Sequence, residues 1–265
     1  MLILLLVFSA SGCNTISQDR VKIESRDSQD RVVTSTPTST SDLAKPELPV
    51  PAVEDKPEII EPEPAESEAA DFLNHPVGFV PQAPYQVWDD LHDEACEEAA
   101  IITVVKYFNQ EEVTPHTAEQ AILDLVKWEE ENSYLIDLNT VEAAEILENH
   151  FNLKTELKAD ITVENIKQDL QAGKLIIIPA AGRQLGNPNF KVPGPIYHML
   201  VIRGYDERTG EFITNDPGTR KGEGYRYKYQ VLINAIHDWN HDLAEGGMTD
   251  EEMAKGRKVI VVVWK

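Results

Sequence analysis

The chain has 265 residues, enough for one large domain or two small ones. Acidic residues outnumber basic residues by 46 to 24, which gives a formal net charge of −22, and no cluster of Lys and Arg stands out. Because binding along a phosphate backbone needs clustered positive charge, we expect no nucleic-acid partner. The only cysteines are Cys13 and Cys96, which excludes a fold held together by several disulfides.

Residues 1–13 predict an export signal that ends at a lipid attachment site. Leu2 to Phe8 form an apolar run too short to span a bilayer, and small residues follow it up to Cys13. Ser11-Gly12-Cys13 resembles a bacterial lipobox, in which the cysteine is acylated and becomes the new N-terminus. We therefore expect an extracytoplasmic lipoprotein, anchored to a membrane of the bacterial cell envelope through lipid on Cys13. The alternative is an otherwise secreted protein.

In residues 14–70, apolar residues do not recur with the sustained spacing of a helix or a strand, and the segment is rich in Pro, Ser, Thr and Glu. Such a composition buries too little apolar surface to offset the entropy that is lost on ordering. We predict a disordered tether over this range and one folded domain over residues 71–265.

Helical patterns precede most strand patterns within residues 71–265. The expected helices cover 117–131, 139–151, 162–172 and 231–239, besides a buried central helix near Cys96. The expected strands cover 175–179, 198–205, 211–215, 225–229 and 259–264. This order favours an α+β fold with N-terminal helices and a C-terminal antiparallel sheet over alternating βαβ units.

Cys96 is a candidate nucleophile because it stands at the start of the central helix, with Asp93 as the expected N-cap. The dipole and free N–H groups of a helix start lower the pKa of a thiol, whereas the adjacent Glu97 and Glu98 oppose this effect. A histidine partner is therefore needed. A buried structural cysteine is the alternative.

His198 is the candidate partner, because it opens an apolar strand after a loop rich in Gly and Pro. If the turn of the following hairpin is centred on Arg208, residue 198 pairs with residue 218, and residue 200 pairs with Asp216. His198 and Asp216 then lie diagonally on one face of the sheet. A register shifted by one residue would put them on opposite faces.

Five segments together resemble the C39-like family of papain-fold cysteine peptidases. They are VPQAP at 80–84, Trp88, CEEA at 96–99, YHMLV at 197–201 and NDPG at 215–218. The resemblance spans about residues 80–265. It implies a papain-like fold with Cys96 as nucleophile, His198 as general base and acid, and Asp216 as the residue that orients His198. It also implies that the Gln82 side-chain amide is the oxyanion donor, with Gln86 as the alternative.

Substrate contacts are expected from Trp88 and from the loop at residues 182–197, where Asn187 and Phe190 are the candidates. Tyr225, Tyr227 and Tyr229 alternate along a strand pattern that is typical of either a peptide groove or ordinary packing. We expect no metal and no cofactor. His237 and His241 are four residues apart, but the apolar stripe beside them favours a packing helix over a metal site.

These patterns lead us to expect a cysteine peptidase that acts on a peptide or protein substrate. Two alternatives stay open: a cell-wall peptide amidase or transpeptidase with the same catalytic groups, and a catalytically silent peptide-binding surface module.

Overall fold

The computed structural model describes residues 71–244 and 247–265. The predicted signal peptide with Cys13 and the predicted tether at residues 14–70 lie outside the described residues. Within those residues, no helix is both long enough and apolar enough to cross a membrane.

The helices begin where capping side chains can accept backbone N–H groups. Thr114, Asn139, Thr162 and Thr249 each accept such a bond at the start of a helix. The helices are α1 Asp90–Glu94, α2 Cys96–Asn109, α3 Pro115–Glu131, α4 Thr140–Asn149, α5 Val163–Gln171, α6 Tyr229–Ala235, α7 His241–Ala244 and α8 Asp250–Met253.

Across residues 71–244 and 247–265, the strands form one antiparallel sheet. They are β1 Phe72–Asn74, β2 Lys154–Lys158, β3 Leu175–Ala181, β4 Tyr197–Asp206, β5 Glu211–Asn215, β6 Tyr225–Lys228 and β7 Ile260–Trp264. Their order across the sheet is β2-β7-β3-β4-β5-β6, and β1 pairs with the end of β4 at residues 204–206. The central strands β3 and β4 are buried along almost their whole length and form the centre of the core.

Alternate residues of the central strands divide the core between the two faces of the sheet. Ile177 and Val201 belong to the cluster that α2, α3 and α4 complete, whereas Ile178 and Leu200 pack with α5 and α6. Helices therefore cover both faces. The predicted α+β fold, with early helices and a mainly C-terminal antiparallel sheet, is confirmed.

Two local predictions were wrong. Asp93 does not cap the central helix, because Asp89 caps the short α1 and α2 then begins at Cys96 without a side-chain cap. The helix expected over 231–239 ends at Ala235, because Ile236 adopts an extended conformation and forms a β-bridge with Ala180.

Candidate active site

The Cys96 side chain is nearly buried at the first residue of α2. Its Sγ lies 3.0 Å from Glu97 Oε2. Burial and the neighbouring Glu97 carboxyl raise the pKa of the thiol well above its ordinary value, while the Met199 backbone N–H acts in the opposite direction. In this structure, burial and the adjacent carboxyl therefore outweigh the lowering effect of the helix start on the pKa of Cys96.

The β4–β5 hairpin aligns His198 with Asp216 through an irregularity in the ladder. Near the turn, Asp206 pairs with Glu211. Continued without interruption, that register would put His198 and Asp216 on opposite faces of the sheet.

One extra residue of β4, Arg203, interrupts the ladder between Ile202 and Gly204. Beyond this bulge, Val201 pairs with Asn215, which is the register that we predicted. The four residues of the turn, 207–210, and the one extra residue of the bulge add up to an odd number, so that His198 and Asp216 share a face.

The two side chains are in direct contact. His198 Nε2 lies 2.8 Å from Asp216 Oδ1, and both residues are buried. A carboxylate can only accept hydrogen bonds, so Nε2 carries the proton and Nδ1 is left as the basic nitrogen of the ring. The Phe190 ring packs edge-on against the imidazole, with 5.3 Å between the ring centroids.

Asp216 has a full set of donors besides His198. The Gly218 N–H donates to Oδ1 at 3.1 Å, while Tyr227 Oη and Asn187 Nδ2 donate to Oδ2 at 2.6 and 3.0 Å. Burial alone would raise the pKa of Asp216, but His198 and these donors hold it below its ordinary value. Asp216 is therefore ionised at neutral pH.

Tyr227 is a site residue that the sequence did not single out. We weighed it only as one of three alternating tyrosines, and the structure puts Tyr227 on the buried side of β6. Asn187, which we predicted to bind substrate, lies buried behind Asp216 and also donates to Tyr227 Oη at 2.9 Å. Its side chain supports the carboxylate and is not part of the main cleft wall.

Gln82 is buried at the edge of the cleft. Its Nε2 donates to the backbone oxygens of His92 and Asp93, at 2.7 and 3.2 Å, while Oε1 has no hydrogen-bond partner among the residues that the structure describes. Both amide hydrogens are thus directed at carbonyl groups of α1, away from an oxyanion. Gln86, the alternative donor, is exposed and accepts a hydrogen bond from Arg220.

A cleft of about 940 Å³ opens beside Cys96 and His198. Trp88, Phe190 and the rest of residues 188–197 line it. Two of the three expected substrate contacts thus border the cleft, as does the expected loop from residue 188 onward, but residues 182–187 do not. The charged side chains of its walls differ in sign: Asp93, Glu94 and Asp137 are acidic, whereas Lys191, Arg220 and Lys221 are basic. Burial, followed by the effect of Glu94, raises the pKa of Asp137 to about 6.

No group of three or more potential metal ligands lies close enough to hold an ion within the part of the chain that the structure describes. His237 and His241 do not share a helix: His237 Nδ1 lies 3.1 Å from the Gly256 oxygen, and His241 Nε2 lies 2.8 Å from Glu142 Oε2.

Comparison with known proteins identifies the family. Residues 80–242 match the sequence profile of the Peptidase_C39 like family, and the chain belongs to this family. No curated protein sequence matches the chain. Among solved structures, the chain is similar to a candidate C39-like peptidase from Bacillus anthracis, with a TM-score of 0.45 and 11% identity. That similarity covers 72% of this chain and 95% of the other.

Proposed function

We propose that this chain is a cysteine peptidase that hydrolyses peptide bonds through a covalent acyl-enzyme on Cys96. The observation that carries the proposal is the shared cleft of Cys96 and His198, with His198 held on an ionised Asp216 at 2.8 Å. A thiol, a base and an orienting carboxylate are the groups that acyl transfer to sulfur requires.

His198 is the base because its free ring nitrogen, Nδ1, can accept the thiol proton. As the Cys96 S–H bond breaks, the sulfur keeps the electron pair and attacks the peptide carbonyl carbon. The protonated imidazole then gives its proton to the leaving amine. Water, deprotonated by the same nitrogen, releases the acid product and restores the thiol. Asp216 stabilises the imidazolium and transfers no proton.

The oxyanion needs donors that point into the cleft. The backbone N–H of Cys96 belongs to the first turn of α2, where N–H groups have no partner within the helix. Gln82 becomes a second donor only if its amide leaves the α1 carbonyl groups when substrate binds. The unpartnered Oε1 makes its present orientation costly, which supports such a change.

We also propose that the peptidase works at the bacterial cell envelope, attached through lipid on Cys13. The proposal rests on the apolar run and small residues before Cys13. Mass spectrometry of the native protein tests it: a chain that begins at a diacylated or triacylated Cys13 is expected, and an unmodified Cys13 would contradict it.

Peptide-library profiling of the full chain tests the activity, with Cys96→Ala as the inactive control. We expect hydrolysed products for the wild-type chain only. Added amine acceptors would yield new amide products if the enzyme is a transpeptidase, and cleavage confined to cell-wall peptides would indicate an amidase. Binding without turnover by both chains would indicate a silent module.

A further inference from the structure

Glu97 contacts the reacting atom of the proposed peptidase. Its Oε2 lies 3.0 Å from Cys96 Sγ, and its side chain is completely buried in the first turn of α2. A negative charge at this distance would oppose formation of the thiolate. The protonation state of Glu97 therefore decides whether this contact helps or hinders the nucleophile.

The groups that face Glu97 favour its neutral form. Glu98 on α2, Glu129 on α3 and Asp137 before α4 are acidic, and Tyr197 on β4 is neutral. Within the described residues, no Lys or Arg forms an ion pair with Glu97, and its Oε1 has no hydrogen-bond partner. A fully buried anion with no cation and one unpaired oxygen is strongly disfavoured. Burial, followed by the effects of Glu98 and Asp137, raises the pKa of Glu97 well above its ordinary value.

We propose that Glu97 is a catalytic residue in its protonated form, and that its carboxylic O–H donates a hydrogen bond to the Cys96 sulfur as the thiolate forms. The inference rests on the proposed function of Cys96. The Cys96 proton moves to His198 Nδ1, the electron pair stays on sulfur, and Glu97 keeps its own proton. A neighbour that would repel the thiolate when ionised thus stabilises it when neutral.

The test uses Glu97→Gln, which keeps a neutral donor of the same shape, and Glu97→Met, which fills similar space without a donor. Glu98→Gln is the matched control, since Glu98 is also buried but does not bond the sulfur. The alkylation rate of Cys96 by iodoacetamide is measured for each full-length chain between pH 5 and pH 9.

At pH 6, we expect Glu97→Gln to react within about threefold of the wild-type rate, and Glu97→Met to react about 10- to 100-fold more slowly, as loss of a charge-assisted hydrogen bond implies. At higher pH, ionisation of Glu97 should flatten the rise of the wild-type rate, whereas the Glu97→Gln rate should keep rising. Glu98→Gln keeps the Glu97 donor and should also show the flattening, but at a lower pH, because Glu98 no longer raises the pKa of Glu97.

A Glu97→Gln chain that reacts more than tenfold faster than wild type at pH 6 would overturn the proposal, because Glu97 would then be an ionised inhibitor of the thiol. Equal rates for Gln and Met would also overturn it. If Glu97→Met does not fold, the alkylation rates of the wild-type and Glu97→Gln chains as a function of pH test the proposal. Parallel curves for these two chains would refute a hydrogen-bond donor on Glu97 that is lost on ionisation.

Alkylation needs no substrate, so the two proposals can fail separately. The expected alkylation pattern without any peptide hydrolysis would refute the peptidase function and leave the Glu97 interaction standing. Peptide hydrolysis that depends on Cys96, combined with equal alkylation rates for the Glu97→Gln and Glu97→Met chains, would refute only the role of Glu97.

Discussion

Asp216 fixes the tautomer of His198, because the only proton-bearing ring nitrogen points at its carboxylate. Asp216→Asn can keep one hydrogen bond but removes the negative charge that stabilises the imidazolium. We expect turnover to fall roughly 10- to 1,000-fold, as for other oriented-base sites. His198→Ala and Cys96→Ser should lose more. Turnover of the three variants on one peptide, with folding checked by circular dichroism, measures this; a fully active Asp216→Asn chain would contradict the assignment.

Gly218 leaves room for the imidazole. A Cβ at this position would lie 2.8 Å from His198 Cε1 and 3.2 Å from a Phe190 ring carbon. We expect Gly218→Ala to displace the ring and to lower kcat about 100-fold, because small misplacements of catalytic groups are costly.

Gly224→Ala is the control for this variant. Gly224 has a φ of +61°, and a Cβ there would meet no atom of the described residues within 4 Å. Its substitution should therefore cost about 1 kcal/mol of stability and leave turnover nearly unchanged. Melting temperatures and turnover of both variants separate the two effects. A Gly218→Ala chain with normal turnover would show that His198 tolerates displacement.

At the scale of elements, β6 supports the carboxylate from behind. Tyr227 Oη donates to Asp216 Oδ2, whereas Tyr225, on the same strand, does not bond Asp216. Tyr227→Phe removes the donor and should lower kcat about tenfold or more with little change in KM, since a hydrogen bond to an ionised carboxylate contributes about 1.5–3 kcal/mol. Weaker support should also raise the pKa of Asp216 and shift the acid limb of the pH–rate profile upward.

Tyr225→Phe is the matched control and should leave both kcat and the pH profile unchanged. If Tyr227→Phe only lowers the melting temperature, and its pH profile overlays that of the wild-type chain, Tyr227 has a packing role and does not position Asp216.

Much of the fold follows from the sequence where apolar patterns are strong. The strand at residues 211–215 was predicted with its observed bounds, and α3 differs from its prediction by two residues. The weaker elements were missed: β1 has only three residues, and β2 is a mostly polar edge strand. Such strands gain their stability from the neighbour with which they pair, here β4 and β7.

Parts of the site depend on contacts between residues distant in sequence, which no local pattern reveals. Asn187 lies in the loop before β4 and Tyr227 lies on β6. Both reach Asp216 only because this loop and this strand pack against the residues that follow β5. The pKa of Cys96 could not be predicted from its helix position, because the burial of Glu97 depends on how α2 packs.

At the scale of the whole molecule, buried acids make stability depend on pH. Burial is the main cause of the raised pKa values of Glu97, Glu98 and Glu129 in the folded chain, and the charges of nearby carboxyl groups add to it. Above the ordinary glutamate value of 4.5, the unfolded chain loses these protons while the folded chain retains them. The unfolded state then binds fewer protons, so each such group lowers the free energy of unfolding by about 1.4 kcal/mol per pH unit until its raised pKa is reached.

We therefore expect the melting temperature to fall from pH 5 to pH 8. Asp216 does not offset this trend: its lowered pKa gives stability that is complete above 3.8 and is lost only at more acidic pH. A chain carrying both Glu98→Gln and Glu129→Gln should show a clearly smaller decrease. Calorimetry in matched buffers measures it, and a wild-type melting temperature that rises over this range would contradict a neutral buried cluster.

The bulge at Arg203 has a consequence for how relatives of this chain can diverge. The turn of the β4–β5 hairpin has four residues, 207–210, and the bulge adds one residue. Their odd sum keeps His198 facing Asp216. An insertion or deletion of one residue in the turn reverses that parity unless the bulge disappears with it. Among active relatives, a one-residue change in the length of the turn should therefore occur together with loss of the bulge. A hairpin that shows only one of these two changes should belong to a protein that has lost this arrangement of catalytic groups.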